Sequence, residues 1–483
     1  MKKRSKPGLV VVCDSVRIDS RRSFTFVVGC WMLSALIRQG QSFVLSHTQS
    51  KRSQYAVSTA RNMVLSQQDG GSPTVDQPDP VAHKDASLLS KTNGIQARAK
   101  VVSTNDLEAC GERLRAGKLV AFPTETVYGL GCHALDETAV RSVFAAKERP
   151  STDPLIVHVL QASEAYQLWE ASSSNIPSDE SKILSTLCSA FWPGPLTIVA
   201  RANRSIVPDC VMANTGFVAC RSPSHPTARA LIEAARVPLA APSANKFGHV
   251  SPTTAQHVWD DLHDEDVWIV NETHRCHVGV ESTVAKLDRV PDESDSHNYS
   301  TKQSGKQNYR LTVLRQGAVS ADELCASLDG LQNVVVESKL HRATQEDVAN
   351  VAPGQTIRHY SPNVPSYLVS KACVPNHVGN DNMKVYATAR SKLSEAVIID
   401  YGERLKAWKG LALAYRDLSS ASNSSEAAQG VFETLRWAEQ VPGAKRILFP
   451  QLHDKNLDAL ALAVKDRLTR AASGVVIDSL DQT

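Results

Sequence analysis

Hydrophobic positions recur with a helical or strand period only from about residue 103 onward, and that pattern sets the predicted elements. Leu107, Cys110 and Leu114 fall at i, i+3 and i+7, which predicts a helix capped by Ser103 or Asn105 and ended by Gly117. Leu119, Val120, Ala121 and Phe122 make a short apolar run, read as a buried strand that Pro123 stops before a loop rich in hydroxyls and glycine. After Asp136, Val140, Val143 and Phe144 share one helical face. Further strands are predicted at 155–160, 196–200, 218–221, 239–241, 267–270, 282–287 and 310–315, with a helix from His225-Pro226 to Ala235. Interleaved strands and helices give an α/β fold on a sheet of mixed direction. A second, smaller α/β unit is predicted from strands at 384–387, 396–399, 411–415 and 446–449 and helices at 424–438 and 457–472.

Where the pattern lapses, composition takes over. Residues 1–68 are rich in Lys, Arg and Ser and carry only Asp14 and Asp19 as acids, which fits a mitochondrial transit segment. The apolar run 24–37 is shorter than the roughly 20 residues a bilayer-spanning helix needs. A signal-peptide core, or a start at Met63 that removes the segment, are readings the residues leave open. Residues 67–98 read as a disordered linker and 291–307 as a polar surface insertion. At 483 residues the chain calls for two globular domains plus a tail. With 53 basic and 50 acidic residues it is no whole-chain polyanion binder. Ten cysteines without a CxxC pair argue against a zinc ribbon or a dense disulfide framework, and fit a reducing compartment. His274, Cys276 and His277 lack a second ligand pair, so no metal site is assigned.

The candidate chemistry starts at the loop after Phe122. Thr124, Thr126 and Tyr128 offer hydroxyls, Glu125 a carboxylate, and Gly129 and Gly131 a backbone that a ligand can approach closely. Helical phase carries Lys147 to the end of its helix; Arg149 follows and Pro150 breaks the helix, so two cations share a corner that suits a triphosphate. His158, near a strand end, reads by itself as a packed histidine. Arg358-His-Tyr-Ser-Pro362 puts an aromatic hydroxyl between basic groups in a connecting segment. Lys465, Arg467 and Arg470 read as a solvated helix face. The stretch 111–119 has the wrong spacing for a P-loop, and neither a Gly-x-Ser-x-Gly elbow nor a zinc-protease helix occurs.

These stretches have an order. Ala121 to Gly131, Lys147-Glu-Arg149-Pro150, Pro154-Leu-Ile-Val-His158, Phe191-Trp-Pro-Gly-Pro-Leu-Thr197, Pro242-Ser-Ala-Asn245 with Ser251-Pro-Thr253, Gly279-Val-Glu-Ser-Thr283, Leu314-Arg-Gln-Gly317 and Arg358-His-Tyr-Ser-Pro362 follow one another as in the threonylcarbamoyl-AMP synthases, which the chain resembles from Ser103 onward. The resemblance implies a twisted open mixed sheet (YrdC-like) domain at 103–320 and a linker with an active-site lid at 321–365. A smaller Rossmann-like α/β C-terminal domain would follow at 366–483, with residues 1–102 as an N-terminal extension.

By the same resemblance the chain is a nucleotidyltransferase that takes L-threonine, bicarbonate and ATP, with Mg2+, and releases pyrophosphate. The product would serve tRNA modification through a tRNA threonylcarbamoyl transferase complex. Direct tRNA contact is left open; no membrane is involved, and the compartment is cytoplasmic, or mitochondrial if the extension is a transit segment. Thr126, His158, Arg221, Ser243 and Ser282 would contact threonine, with Arg221 on its carboxylate. Lys147 and Arg149 would hold the triphosphate and act in catalysis, and Asp153, Asn245, Ser251 and Arg315 would surround the nucleotide. Tyr360 would close over ATP, although Gln355, Thr356 and Ile357 depart from the family's usual run. Two other readings are a carbamoyl transferase of the hydrogenase-maturation type, whose acylphosphatase-like part and zinc fingers this sequence lacks, and an RNA-binding module with a basic concave face.

Overall fold

The computed structural model describes residues 97–170, 178–273, 276–290, 308–331, 333–338, 350–352, 360–373, 390–453 and 457–483. The N-terminal extension up to residue 96 with its apolar run, the insertion 291–307, the strand expected at 384–387, and Arg358 and His359 of the linker lie outside those residues.

The first sheet is built in chain order. β1 (Lys100–Ser103) leads through a 3-10 turn, closed by a capping box between Ser103 and Asp106, into α1 (Leu107–Arg115). β2 (Leu119–Pro123) and β3 (Tyr128–His133) pair antiparallel around a tight turn. Next come α2 (Glu137–Lys147), β4 (Ile156–His158), α3 (Ala162–Leu168), α4 (Asp179–Phe191), β5 (Leu196–Arg201) and β6 (Phe217–Arg221). α5 (Pro226–Ala235), β7 (Leu239–Ala240), α6 (Ala255–Leu262) and β8 (Val267–Asn271) follow. β9 (Thr283–Val290), β10 (Asn308–Arg315), α7 (Ala321–Ser327) and β11 (Val334–Ser338) finish it. Among the described residues the sheet has eleven strands in the order β1-β8-β2-β3-β7-β4-β6-β5-β9-β10-β11, of mixed direction as the sequence predicts.

The hydrophobic faces account for the packing. Cys110 and Leu114 of α1 are fully buried against Val120 and Phe122 of β2 and Leu231 of α5. Val140 and Val143 of α2 join the larger cluster with Leu130 and Val157. Each such side chain contributes about 1.5–3 kcal/mol by leaving water. Both glycines expected to admit a ligand lie within β3; Gly129 lines the cleft described below, and Gly131 does not. At Gly131 a Cβ would lie 2.7 Å from a Phe122 ring carbon, so this glycine makes room for an aromatic across the strand pair.

Among the described residues the second sheet is all parallel. β12 (Ser366–Val369), β13 (Ala396–Asp400), β14 (Ala414–Asp417), α8 (Ser424–Glu439), β15 (Arg446–Pro450), α9 (Ala459–Ala471) and β16 (Val476–Ile477) give the order β14-β13-β15-β12-β16. Its inner strands β13 and β15 are short, largely apolar and buried, as parallel strands covered on both faces are, while the edge strand β14 is only partly buried. One expectation fails here. Arg467 is fully buried and Arg470 nearly so, because α9 turns them inward: Val464, Arg467, Leu468 and Ala471 fall on its core side at i, i+3, i+4 and i+7. Two of the three cations read as solvated are packed, and Lys465 is half-buried.

Candidate active site

Strand direction assembles the site. β4 and β6 run parallel with His158 opposite Arg221. β5 is antiparallel to β6, β9 parallel to β5, and β10 antiparallel to β9, so β10 runs the same way as β4 and β6. Three strands therefore end at one edge on His158, Arg221 and Arg315. β5 and β9 start at that edge and bring in Gly194 and Ser282. The close approach there explains Gly317: a Cβ on it would lie 2.3 Å from the Thr283 nitrogen.

A cleft opens at this edge. Of the residues expected at the site, Thr126, Arg149, His158, Arg221, Ser243, Ser282, Arg315 and Tyr360 line it. Arg221 donates to the Thr126 hydroxyl (3.0 Å) and the Gly194 carbonyl (3.3 Å), and forms an ion pair with Glu125 at 2.6 Å. Burial would raise the Glu125 carboxyl, but Arg221 beside it prevails and holds it below its ordinary value. His158 is driven the other way. Burial, and then repulsion from Arg221, lower it to about 3, so the imidazole is neutral, its Nδ1 donating to the Ile156 carbonyl at 3.2 Å. Arg315 donates to the Ser282 carbonyl and hydroxyl, each at 3.0 Å, and Ser282 also bonds Thr197 (2.7 Å).

Lys147, Asp153, Asn245 and Ser251 stand outside the lining, one step behind it. Asp153 pairs with Arg149 at 2.9 Å. The Lys147 ammonium turns inward to the carbonyls of Ser243 and Asn245, and burial followed by the Arg149 charge pushes its pKa well below normal. It pins the loop that carries Ser243, instead of projecting from the helix corner into the cleft. Asn245 donates to the Lys246 and His249 carbonyls, at 2.7 and 2.8 Å. Ser251 donates to Glu281 at 2.5 Å.

Glu281 is a lining residue that sequence reasoning passed over, though it lies inside Gly279-Val-Glu-Ser-Thr283. Its other oxygen accepts from Arg467 at 2.9 Å. Thus three arginines at or beside the cleft carry a carboxylate each: Arg149 with Asp153, Arg221 with Glu125, Arg467 with Glu281. Arg315 has none within ion-pair distance among the described residues. The nearby acids are spent, and no group of three or more His, Cys, Asp or Glu among the described residues is placed to hold a metal ion.

Neutral hydroxyls, one uncompensated guanidinium and several compensated ones around a buried cleft define a protein that binds a small anionic ligand and orients it. Comparison with known proteins makes this specific. Residues 112–294 match the family model described as "Telomere recombination", and residues 319–473 match that of the threonylcarbamoyl-AMP synthase C-terminal domain. A threonylcarbamoyl-AMP synthase of Pyrococcus abyssi is 33% identical over 370 residues, covering 75% of this chain and 93% of that protein. One from Schizosaccharomyces pombe is 32% identical over 380 residues, covering 74% and 85%. The crystal structure of P. abyssi Sua5 complexed with L-threonine superposes with a TM-score of 0.60 at 30% identity, covering 78% of this chain and 98% of that one. The chain belongs to the threonylcarbamoyl-AMP synthase family, enzymes of the nucleotidyltransferase type.

Proposed function

We propose that the protein makes L-threonylcarbamoyladenylate from L-threonine, bicarbonate and ATP with release of pyrophosphate. The product is the activated intermediate for N6-threonylcarbamoyladenosine at position 37 of tRNAs reading ANN codons, handed on to a tRNA threonylcarbamoyl transferase complex. The observation that carries the reading is the cleft in which Arg149, Arg221 and Arg315 meet the hydroxyls of Thr126, Ser243 and Ser282. In the first step the threonine amine condenses with bicarbonate, losing water, to give a carbamate. A carbamate oxygen then attacks the α-phosphorus, the bond to the bridging oxygen breaks, and pyrophosphate leaves. Such a displacement needs positioning and charge compensation more than a covalent partner.

Arg221, Thr126, His158, Ser243 and Ser282 form the threonine half in this reading. Arg221 keeps Glu125 while meeting the substrate carboxylate, and neutral His158 adds no competing charge. Arg149, Arg315 and Tyr360 form the nucleotide half; Asp153, Asn245, Ser251 and Lys147 hold those groups and the adjoining loop in place. Glu125 and Glu281 are both committed to cations, a donor set that does not suit Mg2+. Magnesium is therefore assigned to the incoming nucleotide, and no protein ligands are given to it.

No helix among the described residues is long and apolar enough to cross a membrane. We place the enzyme in the cytoplasm, or in the mitochondrion if residues 1–68 act as a transit segment; the intact mass of the native protein separates the two. The functional test is pyrophosphate release. It should require threonine and bicarbonate together, and release that ignores either one overturns the assignment.

A further inference from the structure

Arg467 belongs to the domain after the linker, yet its bonds run to the cleft. Nε donates to Glu281, and Nη1 donates to the Gln316 carbonyl at 2.7 Å and to Asp466 at 3.1 Å. The guanidinium carbon sits 5.4 Å from the centre of the Tyr360 ring, and Phe432 of α8 packs on that ring at 5.4 Å. Two helices of the C-terminal domain therefore grip the ring of a cleft residue. Gly279 shows how closely the two parts meet: a Cβ there would lie 2.3 Å from the Gln429 backbone of α8.

A cation kept only for packing should have all its donors satisfied, because an unpaired buried polar group is costly. Nη2 of Arg467 is buried and has no hydrogen-bond partner among the described residues. The Arg467 charge is also near enough to disfavour that of Arg315, and Glu281 is a carboxylate that faces both. Counting Arg470, which shares Asp466 with Arg467, three guanidiniums face two carboxylates, Glu281 and Asp466, and leave a net positive field beside Arg315. That excess suits phosphates.

We propose that Arg467 is a positioning residue of the nucleotide site: it fixes Glu281 and the Tyr360 ring, and adds to the positive field in which Arg315 meets the phosphates. The C-terminal domain is then a wall of the site. This rests on the function proposed above and goes beyond it in assigning that domain a part.

The test uses the full chain, with calorimetric titration of a non-hydrolysable ATP analogue and, separately, of L-threonine. Arg467→Met keeps the apolar stem and should weaken the nucleotide at least about tenfold, leaving threonine affinity within about twofold. Arg467→Lys should recover part of the loss. Lys465→Met, on the same helix, should bind both ligands normally. If Arg467→Met does not fold, charge-conserving Glu281→Asp and Arg467→Lys decide. Both loosen one pair, so their combination should cost no more than the worse single change. Unchanged nucleotide affinity, equal loss of both ligands, or additive losses in the double variant overturn the proposal alone. Wild-type protein without threonine-dependent pyrophosphate release overturns the function and the proposal together.

Discussion

The ends of the strands differ between the two sheets, although both bury charge there. At the end of β13, Asp400 is fully buried and accepts from the Tyr401 and Leu405 nitrogens and the Tyr415 hydroxyl, each at 2.7 Å. All three donors lie within 15 residues of it. At the ends of β6 and β10, Arg221 and Arg315 reach partners much farther along the chain: Thr126 is 95 residues from Arg221, and Ser282 is 33 from Arg315. Asp400 closes a turn; the arginines tie separate strands around a gap. A buried charge at a strand end is thus no mark of a site by itself. What distinguishes the site is a set of remote partners and a charge left over.

Arg315→Ala should break the site side of this contrast most severely. It removes the guanidinium without a carboxylate, so nucleotide handling should lose roughly 1.5–3 kcal/mol, about tenfold to more than a hundredfold in kcat/KM, with the fold intact. An unaltered KM for ATP together with unaltered kcat would remove Arg315 from the nucleotide half. Arg221→Lys is next. Lysine cannot reproduce the fork that serves Thr126, Gly194 and Glu125 together, so the threonine requirement should rise about tenfold while ATP affinity stays nearly constant. A proportional loss for both substrates would count against the division into halves.

Asp400→Asn probes the other side. Replacing a carboxylate that serves three donors should cost about 1–3 kcal/mol in a thermal or urea unfolding experiment and leave both KM values unchanged. A change in KM would mean that the second sheet's strand ends also serve substrates.

The smallest effect concerns His249, which links Asp261 of α6 to Glu439 of α8, with Arg436 on the same Asp261. Burial works against its charge, but the hydrogen bonds to Asp261 and Glu439 prevail and raise it to about 9. The stability it contributes is whole below its unfolded pKa near 6.5 and fades as pH rises through about 9. The melting temperature should fall across pH 8–10 and do so less in His249→Gln. Equal pH profiles would show that the link is idle.

Much of this was legible before any coordinates. The helical periods of α1 and α2 and the apolar runs of β2, β5 and β6 appear where the residues predict them, because each buries one face on a continuous core. β3 was hidden. Tyr128-Gly-Leu-Gly-Cys-His has the composition of a loop, and only the Phe122 ring beside Gly131 explains glycine in a strand. Helical phase put Lys147 on the correct side of α2 but could not reveal the two carbonyls that take its ammonium. Arg467 was misread although a signal existed: it repeats with Val464, Leu468 and Ala471, and a charge in phase with the apolar stripe is a buried charge. Its partner is 186 residues away, beyond any local pattern.

That separation sets an order in time. A ribosome adding about 5–20 residues per second places Glu281 in the growing chain roughly 10–40 s before it adds Arg467. Throughout that interval the Glu281 carboxylate lacks its ion-pair partner Arg467, and the second domain that holds the Tyr360 ring is incomplete. The nascent first sheet can pair its strands, yet at the proposed nucleotide site it carries an acid whose ion-pair partner is not yet made. With Arg467 as the positioning residue proposed above, a chain broken off before α9 lacks that contribution and should bind nucleotide more weakly than the finished protein.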